Sequence, residues 1–458
     1  MKTKFCYSHL LLLLALKVHT ANGDCLYDSY LRQCSCSLLD LSNFRTIIPC
    51  VQASSFEFNG GTFTNPKDFA ERDIKLVISS IPLSLTKISL VNMVLSEDFL
   101  ASFINVISRI PVDLLSFENT TFVDPSLEYS TSGSPPRILS LQFINTSSNP
   151  LTKGDSAFHR FGNWMSILST QTVKESQLRG VSCELSVHFQ SLTTLELSGN
   201  FLSDDNVSSI FCHGTFLNLQ TLRLRSNSFS NSETLCQTLS RYNQLRHLDL
   251  SLNNISSISN SLCEWQPSLS HLNLSNTSLE IVGIGLPANC EVLDLSHNRI
   301  EFLNISLSKL RELYLSHNRL STLSSLGRIS LLQILAVDGN PMKLLEVSEI
   351  QRFKHLGSFK GDNIPYTCSC SFIKEMKELA KSNLTVQWWP DGYTCDSPES
   401  VRGSRIHDVN HSLFECHTHS YYCLFTGVIC IVVLLLCVSI IICFVKICRT
   451  NKTRSQGM

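Results

Sequence analysis

The chain repeats one pattern of apolar and polar positions through its middle. Seven segments fit the template L-x-x-L-x-L-x-x-N-x-L, in which apolar residues hold the first, fourth, sixth and eleventh positions. The ninth positions are residues 200, 227, 253, 277, 298, 318 and 340, so the steps range from 20 to 27 residues. Alternation over the fourth to sixth positions predicts a short strand with both leucines on one side. Thr277 stands where the other six segments have Asn, and its hydroxyl replaces the amide less completely.

A segment of this kind cannot bury its own apolar edge, so successive copies are expected to stack. The spacing and the consensus are typical of leucine-rich repeats. The predicted fold class is therefore α/β, a leucine-rich-repeat solenoid (horseshoe). Upstream the template weakens: residues 85–95 and 112–122 fit, 138–146 fit partly and 173–178 barely. We expect about eleven repeats over residues 54–345, the first four degenerate.

Both ends of the chain carry targeting signals. Residues 1–23 combine a basic start, a short apolar run and small residues before Asp24, which predicts a signal peptide. Residues 421–445 predict one transmembrane helix, because Leu424 to Val445 contains no charged residue. Basic residues follow it, so residues 446–458 are expected to form a cytoplasmic tail of a single-pass type I protein of the cell membrane, its ectodomain extracellular. Cys443 and Cys448 are candidates for palmitoylation.

The cysteines indicate an oxidising compartment and two caps. Thirteen of the nineteen lie between Cys25 and Cys416. One group (Cys25, Cys34, Cys36, Cys50) precedes the repeats and another (Cys368, Cys370, Cys395, Cys416) follows them. We predict disulfide caps over residues 24–53 and 346–418. Four cysteines allow three pairings, so spacing alone does not choose among them. A zinc site is the weaker interpretation, because each group contains C-x-C instead of the usual C-x₂₋₄-C. Cys290 holds a first-Leu position and is expected to be buried.

Nine N-glycosylation sequons support an extracellular surface. They begin at Asn119, Asn145, Asn206, Asn254, Asn273, Asn276, Asn304, Asn383 and Asn410. The residues expected on the concave face are Glu196, Arg223, Asp249, Asn273, Asp294, Tyr314 and Ala336. A glycan on Asn273 would obstruct that face, so we predict that its middle is not the main ligand site.

The sequence offers no catalytic or metal-binding set. It lacks H-E-x-x-H, G-x-S-x-G and a Gly-rich phosphate loop, so no enzyme, no cofactor and no metal are expected. His297 and His317 recur at one position of consecutive repeats and are interpreted as surface residues. Asp204-Asp205 is interpreted as a solvated loop. Lys+Arg 37 against Asp+Glu 38 gives no reason to expect nucleic acid as a partner.

Aromatic residues concentrate near the start of the repeats. Residues 44–161 contain twelve phenylalanines, whereas residues 162–422 contain ten. Irregular apolar stacking can leave a cavity that suits acyl chains. The alternative is that the rings fill the core of longer repeats. The candidate ligand-binding residues are Phe56, Phe58, Phe63, Phe69, Leu90, Phe99 and Phe103.

Three groups of residues together resemble the family of monocyte differentiation antigen fourteen, a lipopolysaccharide co-receptor. They are the early cysteine group, Ser182-Cys183-Glu184, and Gly285-Leu286-Pro287-Ala288 followed by Val292-Leu293-Asp294-Leu295-Ser296. The resemblance covers roughly Cys25 to Met342. It implies an N-terminal hydrophobic pocket for the acyl chains of bacterial lipid, which would be passed to a Toll-like receptor complex. It also implies the disulfides Cys25–Cys36, Cys34–Cys50, Cys183–Cys212 and Cys236–Cys263.

The chain departs from that family at its C-terminal end. Mammalian members carry a lipid anchor, whereas the basic residues after Val445 favour a retained span. The last cysteine group resembles the C-terminal cap of Toll-like receptors, which implies Cys368–Cys395 and Cys370–Cys416. The expected function is a cell-surface innate-immune co-receptor for lipopolysaccharide or a related lipid, with a homodimer left open. The alternative is an adhesion or protein-ligand receptor that has no lipid pocket.

Overall fold

The structure is a computed structural model that describes residues 25–37, 50–64, 85–108, 110–123, 137–152, 165–258, 264–283, 285–327, 329–410 and 428–443. Seventeen strands of the described residues form one sheet, and two pairs of short strands stand apart from it. The strands are β1 (Leu26–Asp28), β2 (Gln33–Ser37), β3 (Ser55–Phe63), β4 (Lys87–Ser96), β5 (Leu114–Glu118), β6 (Thr121–Val123), β7 (Ser140–Ile144), β8 (Thr170–Lys174), β9 (Thr194–Glu196), β10 (Thr221–Arg223), β11 (His247–Asp249), β12 (Ser257–Ile258), β13 (His271–Asn273), β14 (Ile281–Val282), β15 (Val292–Asp294), β16 (Glu312–Tyr314), β17 (Ile334–Ala336), β18 (Ser358–Lys360), β19 (Tyr366–Thr367), β20 (Thr385–Val386) and β21 (Cys395–Ser397).

Each repeat adds one parallel strand to the sheet, which is the arrangement expected of a solenoid. Strand β10 pairs with β9 on one side and β11 on the other, and Leu222 lies opposite Leu195 and Leu248. These leucines are at most 3% exposed, so the fourth template position forms a continuous buried column. Only the pairing of β1 with β2 in this sheet is antiparallel among the described strands. The solenoid predicted from the sequence is confirmed.

The eighth template position has left-handed backbone in every repeat that the structure describes from β4 onward. The twelve residues there have φ between +50° and +68°. They are Asn92, Asn119, Asn145, Glu175, Gly199, Ser226, Leu252, Asn276, His297, His317, Gly339 and Asn363. Asn, Gly and His tolerate this conformation better than most residues do. The recurrence of His297 and His317 therefore has a backbone explanation.

Short helices occur in the connections that return from one strand to the next. They are α1 (Glu97–Ile107), α2 (Cys183–Ser186), α3 (Val207–Ile210), α4 (Ser232–Leu239), α5 (Val347–Gln351) and α6 (Cys370–Leu379), with 3₁₀ turns at Pro150–Thr152 and Glu399–Val401. Helix α1 begins directly after β4, where Ser96 Oγ accepts a hydrogen bond from Phe99 N at 3.1 Å. Such an N-cap satisfies one of the amides that a helix start leaves unpaired.

Disulfides close both ends of the repeat array. The structure pairs Cys25 with Cys36, Cys34 with Cys50, Cys183 with Cys212 and Cys368 with Cys395. Cys236 and Cys370 are also disulfide-bonded. Their expected partners, Cys263 and Cys416, lie outside the described residues.

The sheet continues into the segment that the sequence assigns to the C-terminal cap. Strand β18 pairs in parallel with β17, and β20 pairs with β18. Leu356, Phe359 and Gly361 hold the first, fourth and sixth positions of this additional repeat. Glycine at the sixth position hides the template, so the pattern alone did not reveal it.

The predicted membrane span is described only in part. Residues 428–443 are helical and carry no charged residue. Within the ranges that the structure describes, no helix is both long and apolar enough to cross a bilayer. The remainder of the predicted span, the signal peptide and the tail lie outside those ranges.

Candidate functional site

Strand β3 contains a repeat that lies at the start of the predicted array, but whose template positions were not assigned from the sequence. Ala53, Phe56, Phe58 and Phe63 hold its first, fourth, sixth and eleventh template positions, with Gly61 at the ninth. Parallel register places Phe56 beside Ile88, Phe58 beside Leu90 and Phe63 beside Leu95. Phenylalanine thus replaces leucine in this repeat. Four of the seven candidate residues, Phe56, Phe58, Phe63 and Leu90, are therefore core residues of two neighbouring repeats.

Helix α1 supplies the next two candidate residues. Phe99 and Phe103 are four residues apart and so face the same side of the helix. The ring of Phe63 stacks on that of Phe99 at 5.1 Å between centroids, and Phe99 stacks on Phe103 at 6.0 Å. All three side chains are at most 6% exposed. The structure therefore brings six candidates into one apolar region, and Phe69 lies outside the described residues.

The aromatic region extends into the next repeats. Phe58, Leu90, Phe117 and Phe143 follow one another in register at the sixth template position. The rings of Phe117 and Phe143 stack at 5.2 Å, and Phe122 contacts both rings edge-on. Such ring pairs stabilise a core beyond the area they bury. The excess of phenylalanine is thus accounted for, in large part, by one aromatic core.

The concave face carries a cleft of about 420 Å³ over strands β10, β11, β13, β15 and β16. Its lining includes Arg223, His247, Asp249, His271 and Asn273, and the two imidazole rings lie 4.2 Å apart. Burial lowers the pKa of His247, and the neighbouring His271, Arg223 and Arg246 lower it further. Asn273 lies on this face, as predicted, and is half-buried.

Two residues expected to line the concave surface are buried instead. The Oε1 of Glu196 accepts a hydrogen bond from the hydroxyl of Ser198. Its Oε2 lies 3.6 Å from Nη1 of Arg223, so the Arg223 side chain covers the carboxylate. Ala336 is small and lies in register between Tyr314 and Lys360, whose longer side chains shield it. The available concave surface is therefore narrower than the sequence suggested.

The sequons lie mostly on the surface. Asn119, Asn145, Asn254, Asn276, Asn304, Asn383 and Asn410 are exposed, whereas Asn206 and Asn273 are half-buried. Cys290 is buried without a disulfide partner, and burial raises the pKa of its thiol to about 12. A thiol with so high a pKa stays protonated and unreactive at neutral pH. Cys290 is therefore a structural residue.

Asp204 and Asp205 lie in a turn, and the interpretation of both as solvated is wrong for Asp204, whereas Asp205 is exposed. Asp204 is half-buried, and Oδ2 accepts hydrogen bonds from the backbone and hydroxyl of Ser230 at 3.0 and 2.7 Å and from Asn231 N at 3.1 Å. These partners belong to the next repeat, 26 and 27 residues further along. Asp204 thus links two turns of the solenoid.

The fold and the family comparisons define a leucine-rich-repeat protein with a cysteine-containing C-terminal cap. Residues 244–265 and 309–329 match the family model Leucine Rich Repeat. Residues 392–417 match Leucine rich repeat C-terminal domain, the segment that contains Cys395 of the cap disulfide.

Sequence relatives of the chain include Toll-like receptors. Toll-like receptor 2 of Ovis aries is 33% identical over 273 residues, which is 59% of this chain and 34% of the relative. Toll-like receptor 2 type-2 of Gallus gallus is 34% identical over 253 residues, covering 55% of this chain and 32% of the relative. The chain thus spans about a third of the length of these relatives. The solved mouse RP105/MD-1 complex matches with 17% identity and a TM-score of 0.49, over 79% of this chain and 67% of that one.

Proposed function

We propose that the protein is a cell-surface innate-immune co-receptor that binds bacterial lipopolysaccharide or a related lipid. The acyl chains enter an apolar site bounded by the aromatic residues of β3 and α1. The protein then delivers the bound lipid to a Toll-like receptor complex. The chain acts by binding and carries out no catalysis. The relationship to Toll-like receptor 2 supports an innate-immune role at the level of the family.

The observation that carries the proposal is the ring stack Phe63–Phe99–Phe103. It joins the last residue of β3 to α1, the longest helix of the described repeats, so that two of its three rings come from a helix. Phe63 is held in the register of the parallel sheet, whereas Phe99 and Phe103 lie on the helix, so the contact between Phe63 and Phe99 is the one that can open to admit a chain. Apolar surroundings of this kind suit acyl chains.

The proposal includes a membrane anchor. Residues 421–445 would cross the bilayer once, with 446–458 in the cytoplasm, because the apolar run is followed by basic residues. The helix at 428–443 is compatible with the central part of such a span. The site would then stand outside the cell, where bacterial lipid is encountered.

Lipopolysaccharide binding by the full chain in phosphatidylcholine nanodiscs tests the proposal. Phe63→Ala should weaken binding by about tenfold or more, since a lost aromatic contact of about 1.5–3 kcal/mol corresponds to that change. Phe229→Ala is the matched control, because Phe229 holds the same eleventh template position and is also buried. Circular dichroism confirms that both variants are folded. Absence of binding by the unmodified chain, or equal binding by both variants, would contradict the proposal.

A second candidate function is a receptor for a protein ligand. Ile281, Phe302 and Leu344 hold the thirteenth position of three repeats and are 67%, 64% and 76% exposed. Thr322 holds this position in the repeat between those of Phe302 and Leu344, so Ile281 and Phe302 are the two that belong to consecutive repeats. Large apolar residues exposed on neighbouring repeats favour a protein contact. If this function holds instead, Phe302→Ser should abolish partner binding while lipopolysaccharide fails to bind the unmodified chain.

A further inference from the structure

A cavity of about 580 Å³ lies near the C-terminal end of the repeat array, outside the strands of the sheet. It forms between residues 326–327 and 329–330 of one repeat and the residues at the end of helix α5 in the next. The volume falls within the range of sites that bind small molecules. The cavity is far along the chain from the aromatic region of β3 and α1.

One wall of this cavity is apolar and fixed. Leu326, Ile329 and Phe353 line it and are each at most 6% exposed as residues, so their positions are held by the core. Gly327 lies between the first two, and a Cβ there would come within 2.2 Å of the carbonyl oxygen of Ile305. Only glycine permits this close approach of backbones, which sets the shape of the wall.

The other wall is basic. Arg352, Lys354 and His355 line it, and none of the described lining residues is acidic. The Arg352 guanidinium lies 4.7 Å from the centroid of the Phe353 ring. Its Nη2 donates to the carbonyl oxygens of Leu323 and Leu326, at 2.5 and 3.0 Å.

Arg352 is therefore held in place while much of its binding capacity is unused. Within the described residues, Nη1 and Nε have no hydrogen-bond acceptor. Burial lowers the pKa of the Arg352 guanidinium, while the nearby Glu349 opposes the shift. A fixed guanidinium with free donors binds a carboxylate or phosphate at little further entropic cost.

We infer that this cavity binds an anionic amphiphile, with its carboxylate or phosphate on Arg352 and Lys354 and a single short chain against Leu326, Ile329 and Phe353. The combination of one charged wall and one apolar wall selects a ligand that has both parts. The site is separate from the proposed lipopolysaccharide site and does not depend on it.

Three probes separate the parts of this ligand. Octyl phosphate, octanol and inorganic phosphate are titrated against the full chain in phosphatidylcholine nanodiscs, and binding is measured in excess of empty nanodiscs. Octyl phosphate should bind saturably with one site, and the other two should bind at least about tenfold more weakly. Equal binding of inorganic phosphate would indicate a site for the free ion, and equal binding of octanol a purely apolar one. Either result overturns the inference.

Variants locate the site. Lys354→Gln with His355→Gln should weaken octyl phosphate binding by about tenfold, as loss of a charge-assisted hydrogen bond predicts. Ser330→Trp, at an exposed lining position, should block the cavity without removing a core residue. Lys381→Gln, an exposed lysine of the same cap, is the matched control and should bind like the unmodified chain. Unchanged binding in both site variants would overturn the inference.

Discussion

The side chain of Asn298 reaches into the preceding repeat, where Nδ2 donates to the carbonyl oxygen of Leu274 at 2.8 Å. Its Oδ1 accepts from two backbone amides of that same repeat, those of Thr277 and Leu279, both at 2.9 Å. The contact with the previous repeat recurs at Asn200, Asn227, Asn253, Asn318 and Asn340. The ninth template position therefore joins neighbouring turns of the solenoid.

Replacement of Asn298 by Ala should lower the free energy of unfolding by about 3–5 kcal/mol. The change leaves the backbone amides of Thr277 and Leu279 buried without this acceptor, and each such group costs about 1–3 kcal/mol. Denaturant titration of the full chain measures the effect. Asn243→Ala is the control, because Asn243 is exposed and its side chain makes no hydrogen bond in the described structure. Equal stability of the two variants would show that this row of ninth-position Asn hydrogen bonds, the Asn ladder, does not hold the repeats together.

Thr277 interrupts the Asn ladder, so introducing Asn there tests whether the ladder can be completed. Its hydroxyl donates to Leu274 within its own repeat at 2.8 Å and does not reach the preceding one. In other repeats the ninth-position Asn accepts a hydrogen bond from the eleventh residue of the preceding repeat, as Asn318 Oδ1 does from Ile300 N. Thr277 gives no such acceptor to Ile255, whose amide has no partner in the described structure. Thr277→Asn should raise stability by about 1–2 kcal/mol, since it adds buried hydrogen bonds without a charge. A loss of stability in the same denaturant titration would mean that the site cannot accept the amide.

Gln171 holds a fourth template position, in register between Leu141 and Leu195. It is 2% exposed, its Oε1 has no partner, and its Nε2 makes one hydrogen bond to Thr172 at 3.3 Å. Gln171→Leu should therefore stabilise the protein by about 1–3 kcal/mol, the usual penalty of a buried polar group. Gln142→Leu, on the other side of the neighbouring strand, should change the thermal midpoint little. A Gln171→Leu variant that is no more stable than the unmodified chain would contradict the prediction that the buried amide of Gln171 lowers stability.

The histidine pair of the concave cleft predicts a dependence of stability on pH. The pKa of His247 is lowered in the folded state, chiefly by burial and then by His271, Arg223 and Arg246. The unfolded chain then takes up the proton more readily, so this contribution to stability is complete above a pH of about 6.5 and is lost as the pH falls below it. The thermal midpoint should fall less between pH 7 and pH 5 in His247→Gln than in the unmodified chain. His213→Gln, at an exposed position, should fall as the unmodified chain does; identical curves for all three would contradict the assignment.

The clear repeats were predictable because leucines at fixed intervals leave only one way to bury them together. The repeats at both ends of the array were missed for a local reason. Phenylalanines with Gly61 at the ninth position obscure the first, and Gly361 at the sixth position obscures the last. These two repeats keep the spacing of apolar positions, but the residues at several positions differ from the leucine-rich-repeat consensus.

Contacts between repeats were less accessible from the sequence. Asp204 looks solvated until the next turn brings Ser230 against it, 26 residues away. The cavity near the C-terminal end likewise lies between Leu326 of one repeat and Arg352 of the next. Such pairs depend on how far the solenoid rises per turn, which the template does not specify. The structure packs six of the seven candidate residues together in the core, and their role as a lipid site stays a prediction.

Photo-crosslinking with a lipopolysaccharide that carries a diazirine in one acyl chain tests the lipid site most directly. The full chain in nanodiscs is irradiated, digested, and the labelled peptides are identified by mass spectrometry. The account predicts label in peptides from residues 55–107, reduced by an excess of unlabelled lipopolysaccharide. Label found only beyond residue 190, or label that unlabelled lipopolysaccharide does not displace, would contradict it.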